Sequence, residues 1–425
     1  MNKNNIKTAL WLSLGLLAGF SMTACNDDDE TDPNAEPKVR YFRPTDINIA
    51  DSLIVDLSLG QTVAMIGENL DNIIGIRYND QQVALNPNFV TPTSVIFTTP
   101  AAIPGKVTDS LYFTCKNGDE IKYYAKTILP GPSIENVNKG FLKPGDMITI
   151  KGNYFIPTET TPLVITLPGG VTVTPDESST YTNLKFTVPD GIAQSGALTV
   201  ESAFGTSSWS YDMIPYADLK ESKVEGILFD FDGKNGAMAA GNGWRAGNAA
   251  NPPVELSGNA CLFDHEGKPL DGQWIENDMT LNYWPSASEN ILTKIPGATV
   301  EDYAYQMEMY VENPWPEMCF AVQPTSLATV NSDNMLNTYY GTASSYLYEP
   351  YLETPDFTTN GDWITLTMPL SQFTKTLSGK TTSGLKVDDL AGLTIRWSSA
   401  DAAVYTVLFQ PKLYFDNVRL VKKKY

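Results

Sequence analysis

An internal repeat in the first half of the chain restricts the fold more than any other feature of the sequence. The run that ends in Gly67-Glu-Asn69 aligns with the run that ends in Gly152-Asn153, and residues 93–100 align with residues 182–189. In both copies apolar residues alternate as in a half-buried strand, and the glycine and asparagine then predict a turn with positive φ. Two consecutive β-sandwiches are therefore expected.

The repeat also sets the predicted domain boundaries. Pro44-Thr-Asp-Ile47 aligns with Pro132-Ser-Ile134 near the start of each copy. A unit of about 90 residues with several short strands has the size of one small sandwich. We therefore predict one sandwich over residues 39–130 and a second over residues 131–217.

The second copy contains the pattern G-D-x-I-T-I-x-G-x-x-F, from Gly145 to Phe155. This pattern resembles the IPT/TIG branch of the immunoglobulin-like folds. The first copy matches it less well, because Leu70 stands where the pattern has an aromatic residue. The two sandwiches contain one Trp, Trp209, and no cluster of His or Cys, so we expect them to act as spacers.

The first thirty residues have the pattern of an export signal. Lys3 and Lys7 precede an apolar stretch over residues 9–20, which is too short to cross a bilayer and is typical of a secretory signal. Small residues then lead to Cys25 in a pattern that resembles a bacterial lipobox. The resemblance implies that residues 1–24 are removed and that Cys25 is lipidated. The alternative is an ordinary signal peptide with a chance cysteine.

An acidic segment follows Cys25. The run Asn26-Asp-Asp-Asp-Glu30 has no apolar side chain, and Pro33 and Pro37 follow it, so residues 25–38 are predicted to form a solvated tether. The run also resembles the signal that sends Bacteroidetes lipoproteins to the outer face of the outer membrane. The resemblance implies a chain that faces the cell exterior and is held to the membrane by acyl chains alone.

The charge balance narrows the classes of partner. Acidic residues outnumber basic ones by 49 to 29, which gives a formal net charge of −20. Nucleic acids and anionic lipid surfaces are bound by clustered Lys and Arg, so neither is an expected partner. His265 is the single histidine, which excludes a site built from several His ligands, and no cofactor is expected.

Three cysteines follow Cys25 in the sequence: Cys115, Cys261 and Cys319. An odd number spread over a long chain does not describe a disulfide framework. We predict three small buried thiols, with a bridge between Cys261 and Cys319 as the alternative.

The region 218–425 has a different composition from the repeats, because six of the eight Trp lie in it. Alternating runs such as Tyr303–Val311 predict strands, and no long amphipathic helix is evident. We predict an antiparallel jelly roll of about eight to ten strands. Trp363 and Trp397 lie inside alternating runs, so both are predicted to be core residues.

The ends of this region carry a second resemblance. An opening F-D-F-D strand at Phe229 and a closing F-D-N-V-R-L strand at Phe415 are similar to those of carbohydrate-binding jelly rolls. The order of lipobox, acidic tether, immunoglobulin-like repeats and aromatic-rich sandwich resembles the surface glycan-binding lipoproteins of Bacteroidetes polysaccharide-utilisation loci, in particular the xyloglucan type. The resemblance implies a non-catalytic protein that captures a polysaccharide and works with an outer-membrane glycan importer.

A glycan site of this kind needs exposed aromatic rings beside polar side chains, because a flat ring covers the C–H face of a sugar and amides or carboxylates meet its hydroxyls. In the family a Tyr-Trp pair forms the platform, and the resemblance assigns this role to Tyr283 and Trp284. The family also uses a Trp upstream of the pair, and the resemblance assigns this role to Trp244, with Trp274 as the alternative. We also predict contacts from Asn282, Arg245, Trp315 and a Tyr-dense loop over residues 339–351.

Two other functions and one metal site remain open from the sequence. A secreted glycoside hydrolase needs a pair of carboxylates, and a surface adhesin would bind another protein. Asp230 and Asp232, with Asp416, form a weak candidate calcium site. Because the net charge disfavours acidic polysaccharides, a neutral β-glucan such as xyloglucan or mixed-linkage glucan is the expected ligand.

Overall fold

The regular secondary structure of the computed structural model is almost entirely β-strand over the described residues, as the sequence predicts. It divides into two compact units, Met1–Pro130 and Gly131–Tyr425. Within the described ranges there is one α-helix, α1 (Tyr216–Lys220), and no helix is long and apolar enough to cross a membrane. The structure describes residues 32, 34–157, 161–234, 248–264, 280–283, 295–326, 342–398 and 412–425.

The first unit contains one sandwich. Its sheets have the orders β1-β3-β6 and β5-β4-β7-β8, and a parallel pair, β2-β9, completes it. Apolar residues that alternate along each strand, such as Val63 and Met65 on β3, fill the core between the sheets. The strands are β1 (Lys38–Pro44), β2 (Leu57–Ser58), β3 (Thr62–Glu68), β4 (Ile73–Tyr78), β5 (Gln81–Gln82), β6 (Ser94–Thr98), β7 (Ser110–Cys115), β8 (Glu120–Tyr124) and β9 (Thr127–Ile128).

The second sandwich repeats the first strand for strand. Its sheets have the orders β10-β12-β15 and β14-β13-β16-β17, with the parallel pair β11-β18. The alignment of the two sequence copies therefore reflects one topology used twice. The strands are β10 (Ser133–Val137), β11 (Phe141–Leu142), β12 (Met147–Asn153), β13 (Val164–Leu167), β14 (Val171–Val173), β15 (Asn183–Thr187), β16 (Thr199–Ser202), β17 (Gly205–Ser208) and β18 (Ile214–Pro215).

The registers correct one part of the predicted alignment. Val39 pairs with Gly67 on β3, and Ile134 pairs with Gly152 on β12, so Val39 is the equivalent of Ile134. The alignment of Pro44 with Pro132 is therefore wrong. It fails because the connection that follows the first strand is longer in the first copy, which moves the first strand away from the expected position.

The two repeated glycines also have a different role from the predicted one. A Cβ on Gly67 would lie 2.0 Å from the carbonyl oxygen of Lys38, and a Cβ on Gly152 would lie 2.0 Å from that of Ser133. Positive φ occurs instead at Asn69 (55°) and Tyr154 (58°). Both glycines are thus required by the close approach of the neighbouring strand, and the turn itself begins two residues later.

The C-terminal region forms a larger sandwich of ten described strands. One sheet has the order β20-β21-β28-β23-β26, with β19 also paired to β28, and the other has the order β22-β27-β24-β25. The strands are β19 (Ile227–Phe229), β20 (Asn248–Ala250), β21 (Ala260–Asp264), β22 (Thr280–Tyr283), β23 (Tyr303–Val311), β24 (Cys319–Thr325), β25 (Tyr346–Tyr348), β26 (Ile364–Pro369), β27 (Gly392–Ser398) and β28 (Lys412–Lys422).

Aromatic and sulfur-containing side chains fill the interior of this sandwich. Trp363 and Trp397 are 2% and 1% exposed, which confirms their prediction as core residues. Cys115, Cys261 and Cys319 are buried thiols outside any disulfide, so the prediction of three buried thiols is confirmed and the alternative bridge does not form. Short 3₁₀ turns connect the strands of both units at Ile47–Ile49, Leu70–Asn72, Pro87–Phe89, Pro168–Gly170, Val300–Asp302, Pro350–Leu352, Leu370–Gln372 and Val387–Asp389.

The second sandwich and the C-terminal sandwich share one compact unit, and the segment between β10 and β12 joins them. The carbonyl of Asn138 accepts the Thr365 N–H at 2.8 Å, and the Gly140 N–H donates to Thr365 Oγ1 at 2.7 Å. Lys139 Nζ lies 2.6 Å from carboxylate oxygens of both Asp146 and Asp362, and its side chain is 1% exposed. Three consecutive residues therefore contribute a backbone hydrogen bond, an ion pair and a hydrogen bond to a hydroxyl group.

Apolar packing reinforces the same junction. Phe141 belongs to a cluster with Tyr310, Trp363 and Tyr414 of the C-terminal sandwich. Ala304, at the start of β23, packs in turn into the core of the second sandwich. The two cores are therefore continuous at this point, unlike those of domains connected by a solvated linker.

Candidate functional site

The four-stranded sheet of the C-terminal sandwich has one apolar face and one polar face. Side chains alternate along its strands, so Leu281, Ile395 and Val322 enter the core while the residues between them lie on the opposite face. The cross-strand partners on that opposite face are polar, with Asn282 facing Thr394 and Thr394 facing Gln323. We call the following residues the polar face: Thr280, Asn282, Gln323, Thr325, Thr394 and Arg396.

Hydrogen bonds hold the side chains of the polar face in place. Thr394 Oγ1 donates to Asn282 Oδ1 at 2.9 Å, and Gln323 Nε2 donates to the Ser345 hydroxyl at 3.0 Å. Arg396 Nε donates to the carbonyl of Trp397 at 3.2 Å. Each of these side chains is buried, so the face is a preformed array of amides, hydroxyls and one guanidinium. Such groups match the donors and acceptors of sugar hydroxyls.

Asn282 and Tyr283 lie on opposite faces of β22. Asn282 belongs to the polar face, as a glycan contact requires. Tyr283 is 6% exposed and packs edge-on against Phe229, with the ring centroids 5.6 Å apart. The structure thus contradicts the prediction that Tyr283 offers an open ring face, because strand alternation turns this ring into the core.

Trp315 is also a core residue and not part of a platform. It is fully buried, its ring lies 4.5 Å from that of Trp397, and its indole N–H donates to the carbonyl of Met318 at 2.9 Å. The flanking prolines suggested an exposed loop. The ring instead fills the gap between the two sheets, where it removes a large apolar area from water, so the predicted glycan contact at Trp315 is wrong.

Several predicted site residues lie outside the described residues. They are Trp244 and its alternative Trp274, Arg245, Trp284 and the lipidation site Cys25. Their predicted roles therefore remain predictions. Of the Tyr-dense loop, the described part places Tyr346 and Tyr348 half-buried on β25 and Tyr351 just beyond it.

The three acidic residues proposed for calcium do not form a cation site within the described part of the chain. Asp230 accepts the backbone N–H groups of Asp232, Gly233 and Lys234, so its oxygens already cap a turn. Asp416 accepts hydrogen bonds from the Ser257 hydroxyl and the Asn417 N–H. These carboxylates therefore organise the loops around them.

The described interior also holds one buried ion pair. Arg419 and Glu308 are both fully buried and joined by two hydrogen bonds of 2.7 and 2.8 Å. Glu308 also accepts from Thr365 Oγ1 at 3.2 Å, which links the pair to the junction with the second sandwich. Burial raises the pKa of the neighbouring Asp416 well above its ordinary value, and the charges of Glu308 and Asp232 add to the effect.

The polar face includes residues that sequence reasoning did not select. Thr394 and Arg396 lie in the run Leu393-Thr-Ile-Arg-Trp397. The apolar positions of this run predict a core strand, and its polar positions were not considered for the site. The signal was present in the alternate positions, since Thr394 and Arg396 give this strand a second, polar face opposite the apolar one. Gln323 on β24 had the same kind of signal.

Comparisons with known proteins agree with this architecture. A family model described as "Surface glycan-binding protein B xyloglucan binding domain" matches residues 221–422. An IPT/TIG domain-containing protein of Bacteroides ovatus is 28% identical over 219 residues, which cover 46% of this chain and 42% of that protein. The chain thus aligns with less than half the length of this curated relative.

A solved structure shows a similar fold over most of the chain. The surface glycan-binding protein PbSGBP-B from Prevotella bryantii aligns with 92% of this chain and 99% of its own, at a TM-score of 0.67 and 24% identity. This likeness shows the fold: immunoglobulin-like sandwiches followed by a larger β-sandwich. The resemblance to surface glycan-binding proteins that the sequence indicated is confirmed.

Proposed function

We propose that this chain is a non-catalytic glycan-binding protein of the cell surface, which captures a neutral β-glucan-like polysaccharide. The observation that carries the proposal is the match of residues 221–422 to the xyloglucan-binding family model. The ligand class we favour is xyloglucan, with mixed-linkage glucan as the comparison ligand.

The polar face supports this proposal chemically. Its amides and hydroxyls are of the kind that pair with sugar hydroxyls, and internal hydrogen bonds already hold them in place, although each side chain is at most 5% exposed. We propose that Trp284, the residue after Tyr283, supplies an aromatic surface for the ligand, as the resemblance to the xyloglucan-type binders implies. Trp244 and Arg245 are proposed to complete the site from the preceding segment.

Two acids of the C-terminal sandwich, Glu308 and Asp230, have structural roles and do not form a hydrolytic pair. A glycosidase needs a carboxylic acid and a second carboxylate on either side of the scissile bond. The fully buried Glu308 is instead neutralised by Arg419, and Asp230 is occupied by backbone N–H groups. Neither is available to transfer a proton to a bound sugar.

We further propose that Cys25 carries the lipid anchor and that the chain serves an outer-membrane glycan importer. The lipobox-like sequence and the acidic run after it support the anchor. Replacement of Cys25 by Ser is expected to move the protein from the membrane fraction to the soluble fraction of cells. Retention of the variant in the membrane fraction would contradict the anchor.

Affinity electrophoresis on gels containing xyloglucan tests the binding function. The wild-type chain is expected to be retarded, and Trp284→Ala and Trp244→Ala are each expected to reduce the retardation. Tyr124→Ala is the matched control, because Tyr124 is an aromatic residue 71% exposed on the first sandwich. The absence of retardation on any neutral glucan would refute the function.

A reducing-end assay on the same polysaccharides separates binding from hydrolysis. No new reducing ends are expected after prolonged incubation with the wild-type chain. Their appearance, together with loss of activity when a carboxylate is replaced, would establish an enzyme instead.

A further inference from the structure

A cleft of about 880 Å³ lies between the second sandwich and the C-terminal sandwich, within one compact unit. Its volume falls within the range of roughly 300–1,000 Å³ that is typical of ligand pockets. One wall comes from β10 and β12, and the other from β25, β26 and the chain between them. No residue of the polar face lines the cleft, so it is a separate surface.

The walls of the cleft are fixed to each other. Asn138 and Thr365 both line it, and they are joined by the hydrogen bond from the Thr365 N–H to the Asn138 carbonyl. Asp362, another lining residue, is bound to the buried ammonium group of Lys139. The cleft is therefore shaped before any ligand arrives, which lowers the entropic cost of binding.

The lining combines free polar groups with apolar surface. Asn136 and Gln372 are exposed, and within the described part of the chain their side-chain amides have no hydrogen-bond partner. Leu352 is 71% exposed in the same cleft. Trp209 also lines it and is 5% exposed, yet its indole N–H is buried with no acceptor among the described residues. The free amides and the exposed leucine are therefore the groups of the cleft that a ligand can reach.

The charges of the lining indicate which ligands fit. Glu135, Glu349, Glu353 and Asp362 contribute four carboxylates, whereas Lys151 contributes one cation. Lys151 is itself paired with Glu353 at 3.4 Å. The cleft is therefore electronegative, which disfavours phosphate, sulfate and uronate groups and favours an uncharged ligand with many hydroxyls.

We propose that this cleft is a second glycan-binding site, built jointly by the second sandwich and the C-terminal sandwich, that takes a neutral oligosaccharide segment. The inference rests on the proposed function and adds the second sandwich to the binding surface. The amides of Asn136 and Gln372 meet sugar hydroxyls, and Leu352 covers a C–H face. Two sites on one rigid unit let a single long polysaccharide bind more tightly than a short one through effective concentration.

Binding of xyloglucan polymer and of a short xyloglucan oligosaccharide to the full chain tests the site. The variant Asn136→Ala/Leu352→Asn/Gln372→Ala removes the exposed contacts of the cleft. The control variant Leu53→Asn/Gln82→Ala/Asn88→Ala changes the same residue types at exposed positions of the first sandwich, where Leu53 is 68% exposed. The cleft variant is expected to lose about tenfold or more in affinity for the polymer, because the second contact is lost.

The Trp284→Ala background separates the two sites. Residual polymer binding is expected in this background, and the cleft substitutions are expected to abolish it. Hydrogen exchange of the unmodified chain gives an independent measurement: saturating oligosaccharide is expected to slow exchange in residues 346–372. This measurement needs no variant and therefore decides the question even if a substitution impairs folding.

The outcomes distinguish the inference from the proposed function. If the wild-type chain binds xyloglucan but the cleft variant equals the control and residues 346–372 are not protected, the second site is refuted and the function stands. If the wild-type chain binds no neutral glucan, the function and the second site are both refuted. If Trp284→Ala still binds the polymer and the cleft substitutions in that background abolish this binding, the second site is supported.

Discussion

The two tandem sandwiches have the same strand order but differ at one connection. In the second sandwich the segment over residues 138–146 packs onto the C-terminal sandwich through Lys139, Gly140 and Phe141. In the first sandwich the equivalent segment, residues 45–61, is longer, and Ile47 is 87% exposed. The first sandwich therefore forms a compact unit of its own, whereas the second, with the same topology, is part of a larger unit. The two sandwiches differ in the connection that follows their first strand.

The charged groups show the same contrast. The first sandwich pairs Arg40 with Glu68 at its surface, where water screens both charges. The C-terminal sandwich pairs Arg419 with Glu308 in its interior, and Lys139 is buried at the junction. The exposed ion pair is therefore expected to add little to the stability of the first sandwich, whereas the buried charges are expected to stabilise the second unit. The following substitutions test this difference.

The largest effect is expected from Arg419→Met. Removal of one partner leaves the carboxylate of Glu308 buried and uncompensated, which typically costs about 3–5 kcal/mol of unfolding free energy. Arg40→Met is the matched control in the first sandwich and is expected to cost less than about 1 kcal/mol. Urea denaturation followed by Trp fluorescence measures both, and equal losses in the two variants would contradict the contrast.

A smaller loss is expected from Lys139→Met at the junction. The substitution takes the ammonium group away from Asp146 and Asp362, whose side chains are 19% and 56% exposed, so water can solvate the carboxylates that remain. Lys151→Met removes an exposed pair with Glu353 and is expected to have little effect. Limited proteolysis between the two sandwiches provides the readout. Unchanged cleavage in Lys139→Met would show that apolar packing alone holds the junction.

Gly67→Ala and Gly152→Ala test what the two sandwiches have in common. In each copy the new methyl group would meet a backbone carbonyl of the neighbouring strand, so each sandwich is expected to lose about 1–3 kcal/mol by overpacking. Thermal unfolding measures both variants. A loss in only one copy would mean that the shared topology does not impose a shared constraint.

The smallest effect is expected from Asp416→Asn and depends on pH. Because burial raises the pKa of Asp416, the acid stabilises the fold below the pKa of the unfolded chain, about 4, and this contribution is lost as pH rises through the raised value. Asparagine stays neutral, so the variant is expected to lose less stability than the wild type as pH rises. Parallel melting profiles for the two proteins would refute the role of this acid.

The fold was largely predictable because its signals are local. Alternation in Met147–Asn153 or Tyr303–Val311 depends only on the period of a strand, and the repeat of that pattern marks the repeat of the sandwich. The exact register was not predictable at the start of the first copy, because an inserted connection shifts Val39 without changing the pattern of its strand.

The site was predictable only in part. Asn282 lies on the polar face of its sheet and its glycan contact stays a prediction, whereas Tyr283 and Trp315 were expected at the surface and pack in the core. A tryptophan between prolines and a tyrosine beside a tryptophan look alike in sequence whether they line a groove or fill a core. The choice depends on which sheet each ring meets, and residues distant in sequence supply that sheet.

The sequence by itself determined the strands, their repetition, the buried thiols and the change to an aromatic-rich C-terminal region, since these follow from short-range periodicity and composition. Only the tertiary structure decided that the second sandwich joins the C-terminal one, that Arg419 meets Glu308 in the interior, and that Trp209 and Leu352 share a cleft. Those features depend on contacts between residues more than a hundred positions apart, which no local pattern encodes.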